Sequence, residues 1–146
     1  MKKSSIAITI MLFGFTTFAQ NTPNLLNSYL AIKNALVLSD QKTAKAAITE
    51  FQKKVTAEKT FSQKKDLQIA IDKMANVNSL EKERAAFNEV STLFWKVVKS
   101  ADMASTPVYY QYCPMKKAYW LSIEKDIKNP YYGASMLTCG KVVETK

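Results

Sequence analysis

From Asn24 to Met103 the chain contains neither glycine nor proline. A run of that length without either residue leaves no cheap place for a tight turn and no break in the backbone donor series, which favours long helices. Ala, Leu, Lys, Glu and Gln are frequent within it, and apolar residues return at spacings of three and four. A first helix is expected over 24–38, with Leu25, Tyr29, Ile32 and Leu36 on one face. Ser39-Asp40 then reads as a break and a new N-cap. A second helix over 41–58 repeats Ala44, Ala47, Ile48, Phe51 and Val55. A third over 61–75 carries Leu67, Ile71 and Met74, with Phe61 near its start. Asn78-Ser79-Leu80-Glu81 fits a capping box with Asn78 as the cap. The fourth helix runs from there to about Asp102 on Leu80, Phe87, Val90, Leu93, Phe94, Val97 and Val98. Short connections make consecutive helices antiparallel, so the expected fold is mainly α, an up-down four-helix bundle.

Composition changes near residue 105. Six of the seven tyrosines lie between Tyr109 and Tyr132, together with Trp120. Three of the four prolines and two of the three glycines fall in the same tail. Residues 108–113 read as a strand, 118–121 as its partner in a short β-hairpin, and 141–144 as a last extended stretch. Such a tail is too short to be a domain and is expected to pack on the bundle through its aromatic rings. The organisation is then a single domain over 20–146, with a helical part at 24–103 and a Cys/Met/Tyr-rich C-terminal segment at 104–146.

Residues 1–19 read as a secretory signal peptide. Lys2 and Lys3 precede an apolar run from Ile6 to Phe18, and Thr17-Phe18-Ala19 offers small residues where a signal peptidase reads, so cleavage is expected after Ala19. That run is shorter than the ~20 residues of a spanning helix. The expectation is a periplasmic or secreted protein with no stable membrane insertion after cleavage. The formal charge is +9. Export removes nucleic acid as a partner, and charge alone selects no other. The lysines lie mostly between apolar positions and read as a solvated face.

The chain has no histidine. This removes Ser-His-Asp and Cys-His catalysis, His-zinc sites and histidine pH switches at once. No phosphate loop, nucleophile elbow or HExxH is present. Glu81, Glu83 and Glu89 sit among Lys and Arg and read as surface ion pairs. No enzymatic role is expected.

What remains is sulfur. Cys113-Pro114-Met115 and Met136-Leu137-Thr138-Cys139 each carry a thiol and a thioether. Cys113 and Met115 share a side of an extended segment, and Met136 and Cys139 share a face of a helical turn. Two such pairs facing one another would form an all-sulfur site, a donor set that selects Cu(I) over hard cations. The competing reading is a Cys113–Cys139 disulfide in an oxidising compartment. Closing that loop would stabilise by about 3–4 kcal/mol in the chain-entropy model. A reduced pair could bind metal and an oxidised pair could not. Met74 and Met103 read as core.

The string Cys113-Pro114-Met115, Tyr119-Trp120-Leu121-Ser122, Asn129-Pro130-Tyr131-Tyr132-Gly133, Met136 and Cys139-Gly140 resembles an uncharacterised family of exported bacterial domains. The same domain is similar to one appended to periplasmic adaptor subunits of copper/silver efflux systems. The resemblance implies envelope metal handling, with Cu(I) or Ag(I) as the ion and Cys113, Met115, Met136 and Cys139 as ligands. It also implies a metal-efflux or other envelope protein as partner. This chain lacks the adaptor body, so a small metal-binding or metal-delivering protein fits better than a direct part in export. The alternative is a non-catalytic interaction module stapled by the disulfide.

Overall fold

The computed structural model describes residues 21–103 and 106–146. The expected signal peptide and its cut after Ala19 lie outside the described residues. Four helices, α1 (Thr22–Val37), α2 (Gln41–Ala57), α3 (Lys64–Ala75) and α4 (Leu80–Ser100), are followed by β1 (Tyr109–Cys113), β2 (Ala118–Ser122), a 3-10 turn (Gly133–Met136) and β3 (Lys141–Thr145). The fold is the expected helical bundle with a small antiparallel sheet at its C-terminal end. No described helix is long and apolar enough to cross a membrane.

The helix ends follow local chemistry. Pro23 sits in the first turn of α1, where its missing N–H costs nothing, so the helix begins earlier than apolar spacing alone suggests. Asp40 caps α2 as expected, its carboxylate accepting from Thr43 N at 3.0 Å. At α4 the cap is Ser79 and not Asn78: Ser79 Oγ accepts from Lys82 N at 3.3 Å. The extended backbone at Ser79 moves the frame by one residue, which puts Lys82 at the third helical position and dissolves the capping box with Glu81. The third helix starts at Lys64, later than the spacing of Phe61 predicts. Lys64 Nζ is drawn back to the carbonyls of Thr56 and Glu58, covering the C-terminal end of α2.

Tyr29, Phe51, Phe87 and Phe94 form the aromatic centre of the bundle, all fully buried. Tyr29 stacks on Phe87 and Phe94 with centroids 5.1 and 5.2 Å apart. Its hydroxyl shares a 2.7 Å hydrogen bond with Ser91 and accepts from Leu121 N at 3.1 Å. One phenol therefore joins α1, α4 and β2. Burial raises the Tyr29 pKa further than those two bonds lower it, so the hydroxyl stays protonated. Met74 and Met103 are buried, in line with the core reading.

The sheet has the order β2-β1-β3, antiparallel throughout. Its rings pack on the bundle as expected: Trp95 of α4 stacks on Tyr110 at 4.8 Å, Tyr110 on Tyr119 at 4.8 Å, and Tyr119 lies 4.6 Å from Tyr112. Two charged residues overturn the surface reading of the helices. Glu83 is fully buried, held by a single long contact from Gln41 Nε2 (3.4 Å), and burial raises its pKa. Lys33 is buried as well. Where α2 starts and where the loop after β2 crosses α1 decide both, and neither is encoded in helical periodicity. Glu89 keeps the expected surface role, pairing with Lys73 at 3.0 Å.

Candidate sulfur site

The antiparallel register builds the site. Tyr112 pairs with Lys141, so Cys113 at the end of β1 comes beside the residues that lead into β3. Gly140 permits this approach. Its φ is +154°, and a Cβ there would lie 2.8 Å from the Trp120 ring and 3.0 Å from Tyr112 O. Only glycine passes so close, and the chain it carries sets Cys139 against Cys113 with the sulfurs 3.5 Å apart. Both thiols are free. Cys113 is buried and Cys139 is half-buried.

The two sulfurs differ in electrostatic surroundings. Burial pushes the Cys113 thiol up, but the N–H of Lys116, the Asn129 side chain, the Cys139 thiol and the N–H of Met115 all stabilise its thiolate, and the net shift is downward. Cys139 moves the other way. Its hydrogen bond to Cys113 comes first, then burial, then the Cys113 charge, and together they raise its pKa. Of the two thiols, Cys113 is therefore the readier to ionise, and Cys139 the readier to keep its proton.

Asn129 organises the surroundings. It is fully buried. Its Nδ2 donates to Cys139 O at 2.6 Å, its Oδ1 accepts from Tyr131 N at 2.8 Å, and its own N–H donates to Leu137 O at 2.8 Å. The bond to Tyr131 N closes an Asx turn over Pro130, a conformation for which the Asn-Pro pair is suited. The loop after it is pinned from the bundle. Arg84 Nε donates to Pro130 O at 2.7 Å, while Nη2 donates to Leu36 O at 2.7 Å and to Ser39 Oγ at 2.9 Å. Gly133 gives this guanidinium room: at φ +55° a Cβ would stand 2.8 Å from Val37 O and 2.9 Å from Arg84 Nη2.

The thioethers are placed less tightly than the thiols. Met115, in the β1–β2 turn, is 64% exposed. Met136 ends the 3-10 turn and is half-buried, and Cys139 N donates to its carbonyl at 3.1 Å. The structure thus joins Cys113 and Cys139 directly, and puts Met115 and Met136 in the two turns that carry them. Sequence reasoning missed Asn129 and Arg84. Asn129 registered only as a letter of the string that carries the resemblance, and Arg84 only as a neighbour of acidic residues. Among the described residues no group of three or more His, Cys, Asp or Glu is placed to hold a metal ion.

A helical bundle capped by a small sheet with two facing thiols defines the class of protein. The chain belongs to the family described as protein of unknown function DUF3347, whose model matches residues 25–106. That match covers α1 to α4 and stops before β1, so the sulfur-bearing turns lie beyond it. No curated protein and no solved structure matches the chain.

Proposed function

We propose that this is an exported, periplasmic or secreted, protein that binds Cu(I), or Ag(I), through Cys113 and Cys139 with Met115 and Met136 as supporting thioethers. The observation that carries the reading is the 3.5 Å thiol pair with its N–H donors on Cys113. A depressed thiol pKa favours the thiolate, which is the ligand form, and soft sulfur donors favour a monovalent coinage metal. Asn129 and the Lys116 N–H orient the Cys113 sulfur from outside the ligand set, as partners of metal ligands do. Met115, exposed in its turn, is suited to meet an incoming ion or a partner protein at the surface. An envelope or metal-efflux protein is the partner in this reading.

A second reading is supported by the same contact. Exchange with a disulfide-bearing partner, which takes up the two electrons and both thiol protons as it is reduced to two thiols, would need the sulfurs to close from 3.5 Å to the ~2.05 Å of a disulfide, a small movement for the end of β1 and the turn before β3. The site would then alternate between a reduced, metal-competent pair and an oxidised staple, and the oxidised form would act as a non-catalytic interaction module.

The test is an anaerobic titration of the reduced protein with Cu(I) against a coloured competing chelator. One equivalent withdrawn from the chelator, and none by Cys113→Ser or Cys139→Ser with unchanged helical circular dichroism, is the expected result. Normal copper binding by both variants would show that these are not the ligands.

A further inference from the structure

Lys33 stands out among the lysines. Its side chain lies in the wall of a cavity of about 370 Å³ between α1 and the loop after β2, together with Leu30, Asn34, Val37, Leu38, Ile123, Glu124 and Lys128. Lys33 is only 2% exposed. Among the described residues its ammonium donates no hydrogen bond and makes no ion pair within 4 Å. The one carboxylate nearby, Glu124, is engaged by Lys128 Nζ at 2.8 Å. The cavity therefore holds two ammonium groups against one carboxylate. Apart from Asn34 its other walls are apolar, and Leu38 and Ile123 at its edge are 77% and 45% exposed. The Glu124 charge reaches Lys33 only across the cavity, so an anion bound there would be the closer charge partner.

We infer that this cavity binds a small amphipathic carboxylate, its headgroup meeting Lys33 and Lys128 and its aliphatic chain covering Leu30, Val37, Leu38 and Ile123. Charge complementarity selects the headgroup: one added carboxylate balances the two lysines and Glu124 and gives the Lys33 ammonium an acceptor in the cavity. The apolar walls select the chain, since both exposed side chains lose water contact only against an aliphatic body. The cavity volume falls in the range of small-molecule pockets. Burial already lowers the Lys33 pKa more than the Glu124 charge raises it, so the charged form gains from a ligand anion. The site lies on α1 and the post-β2 loop and is independent of the metal reading.

Decanoate, decanol and acetate serve as probes in separate amide-resolved NMR titrations of the purified protein. Decanoate is expected to shift the amides of residues 30–38 and 123–128 saturably. Decanol and acetate are expected to bind at least tenfold more weakly, because each carries half of the recognised chemistry. Lys33→Met, which keeps an unbranched chain in an apolar wall, is expected to weaken decanoate binding at least tenfold, the scale of a lost charge-assisted hydrogen bond of ~1.5–3 kcal/mol. Absence of saturable shifts, equal binding of decanol, or undiminished binding by Lys33→Met overturns the inference. The decanol comparison, made on the unaltered protein, decides the matter if the variant does not fold.

Discussion

The bundle and the sheet that caps it are held together by different physics. The bundle is mostly apolar contact spread over many side chains: Tyr29, Phe51, Leu67, Ile71, Phe87 and Phe94 are buried on all four helices, with the Tyr29 hydroxyl as a polar tie to Ser91 and β2. The cap depends on a few positions. Asn129, Arg84, Gly133 and Gly140 fix the loops that bring Cys139 to Cys113. Area-based cohesion tolerates change at any one residue, at a cost that grows with the volume removed. A hub of directed hydrogen bonds fails when one member is lost, but it positions reactive atoms as broad apolar contact does not. The two thiols lie on the second kind of structure, which is anchored on the first.

That contrast breaks most sharply at Phe94. Phe94→Ala should cost about 3–5 kcal/mol, as truncation of a buried aromatic does. Urea unfolding followed by helical circular dichroism and by tryptophan fluorescence should shift together, because Trp95 and Trp120 lie on either side of the bundle–sheet contact. Separate shifts of the two signals would mean that the cap folds independently.

Asn129→Ala should cost less, about 1–3 kcal/mol for the partners left unpaired. Its larger effect should fall on the site, with Cu(I) affinity about 10–100-fold weaker, the usual loss when a ligand's hydrogen-bonding partner is removed. Equal copper affinity in this variant would remove Asn129 from the site and leave it as loop scaffolding.

Gly133→Ala is expected to destabilise by about 1–3 kcal/mol through the left-handed backbone and the approach to Arg84. The thiols should become faster to alkylate, while the bundle keeps its helical signal. A variant as stable as the parent, with unchanged alkylation rates, would mean that the Arg84 clasp does not govern the cap.

The smallest effect belongs to the bundle. The folded state holds the proton of Glu83 more tightly than the unfolded chain does. The stability from protonated Glu83 is therefore complete below the unfolded carboxylate pKa, and it is lost as pH rises through the raised folded value. Glu83→Gln should then stabilise by about 1 kcal/mol at neutral pH, with the gain shrinking toward acid. A loss of stability at neutral pH would show that the ionised carboxylate has a partner the variant cannot replace.

The helices were legible because a period of 3.6 is written directly in Leu25, Tyr29, Ile32 and Leu36 and in their counterparts on α2 to α4. The strands were legible too, from aromatic and β-branched runs bounded by Pro114, Asn129 and Gly140. Charge placement was not. Glu83 and Lys33 sit at positions that periodicity leaves polar, and long-range packing buries them. The four sulfur residues could be chosen from spacing and resemblance, since both turns were visible. Nothing in the sequence indicated that Asn129 would bond to the segment that carries Cys139, because its partners at Leu137 and Cys139 depend on how the loop closes. Arg84 escaped for a related reason: its acceptors are the carbonyls of Leu36 and Pro130, and a backbone carbonyl leaves no mark in the sequence.

The central claim is that the facing cysteines form a metal site whose donors are sulfur. X-ray absorption at the copper edge, on protein loaded with one equivalent of Cu(I) and desalted without oxygen, tests it most directly. The account predicts copper retained on the protein with a first shell of sulfur alone. A first shell dominated by nitrogen or oxygen, or copper lost on desalting, would contradict it.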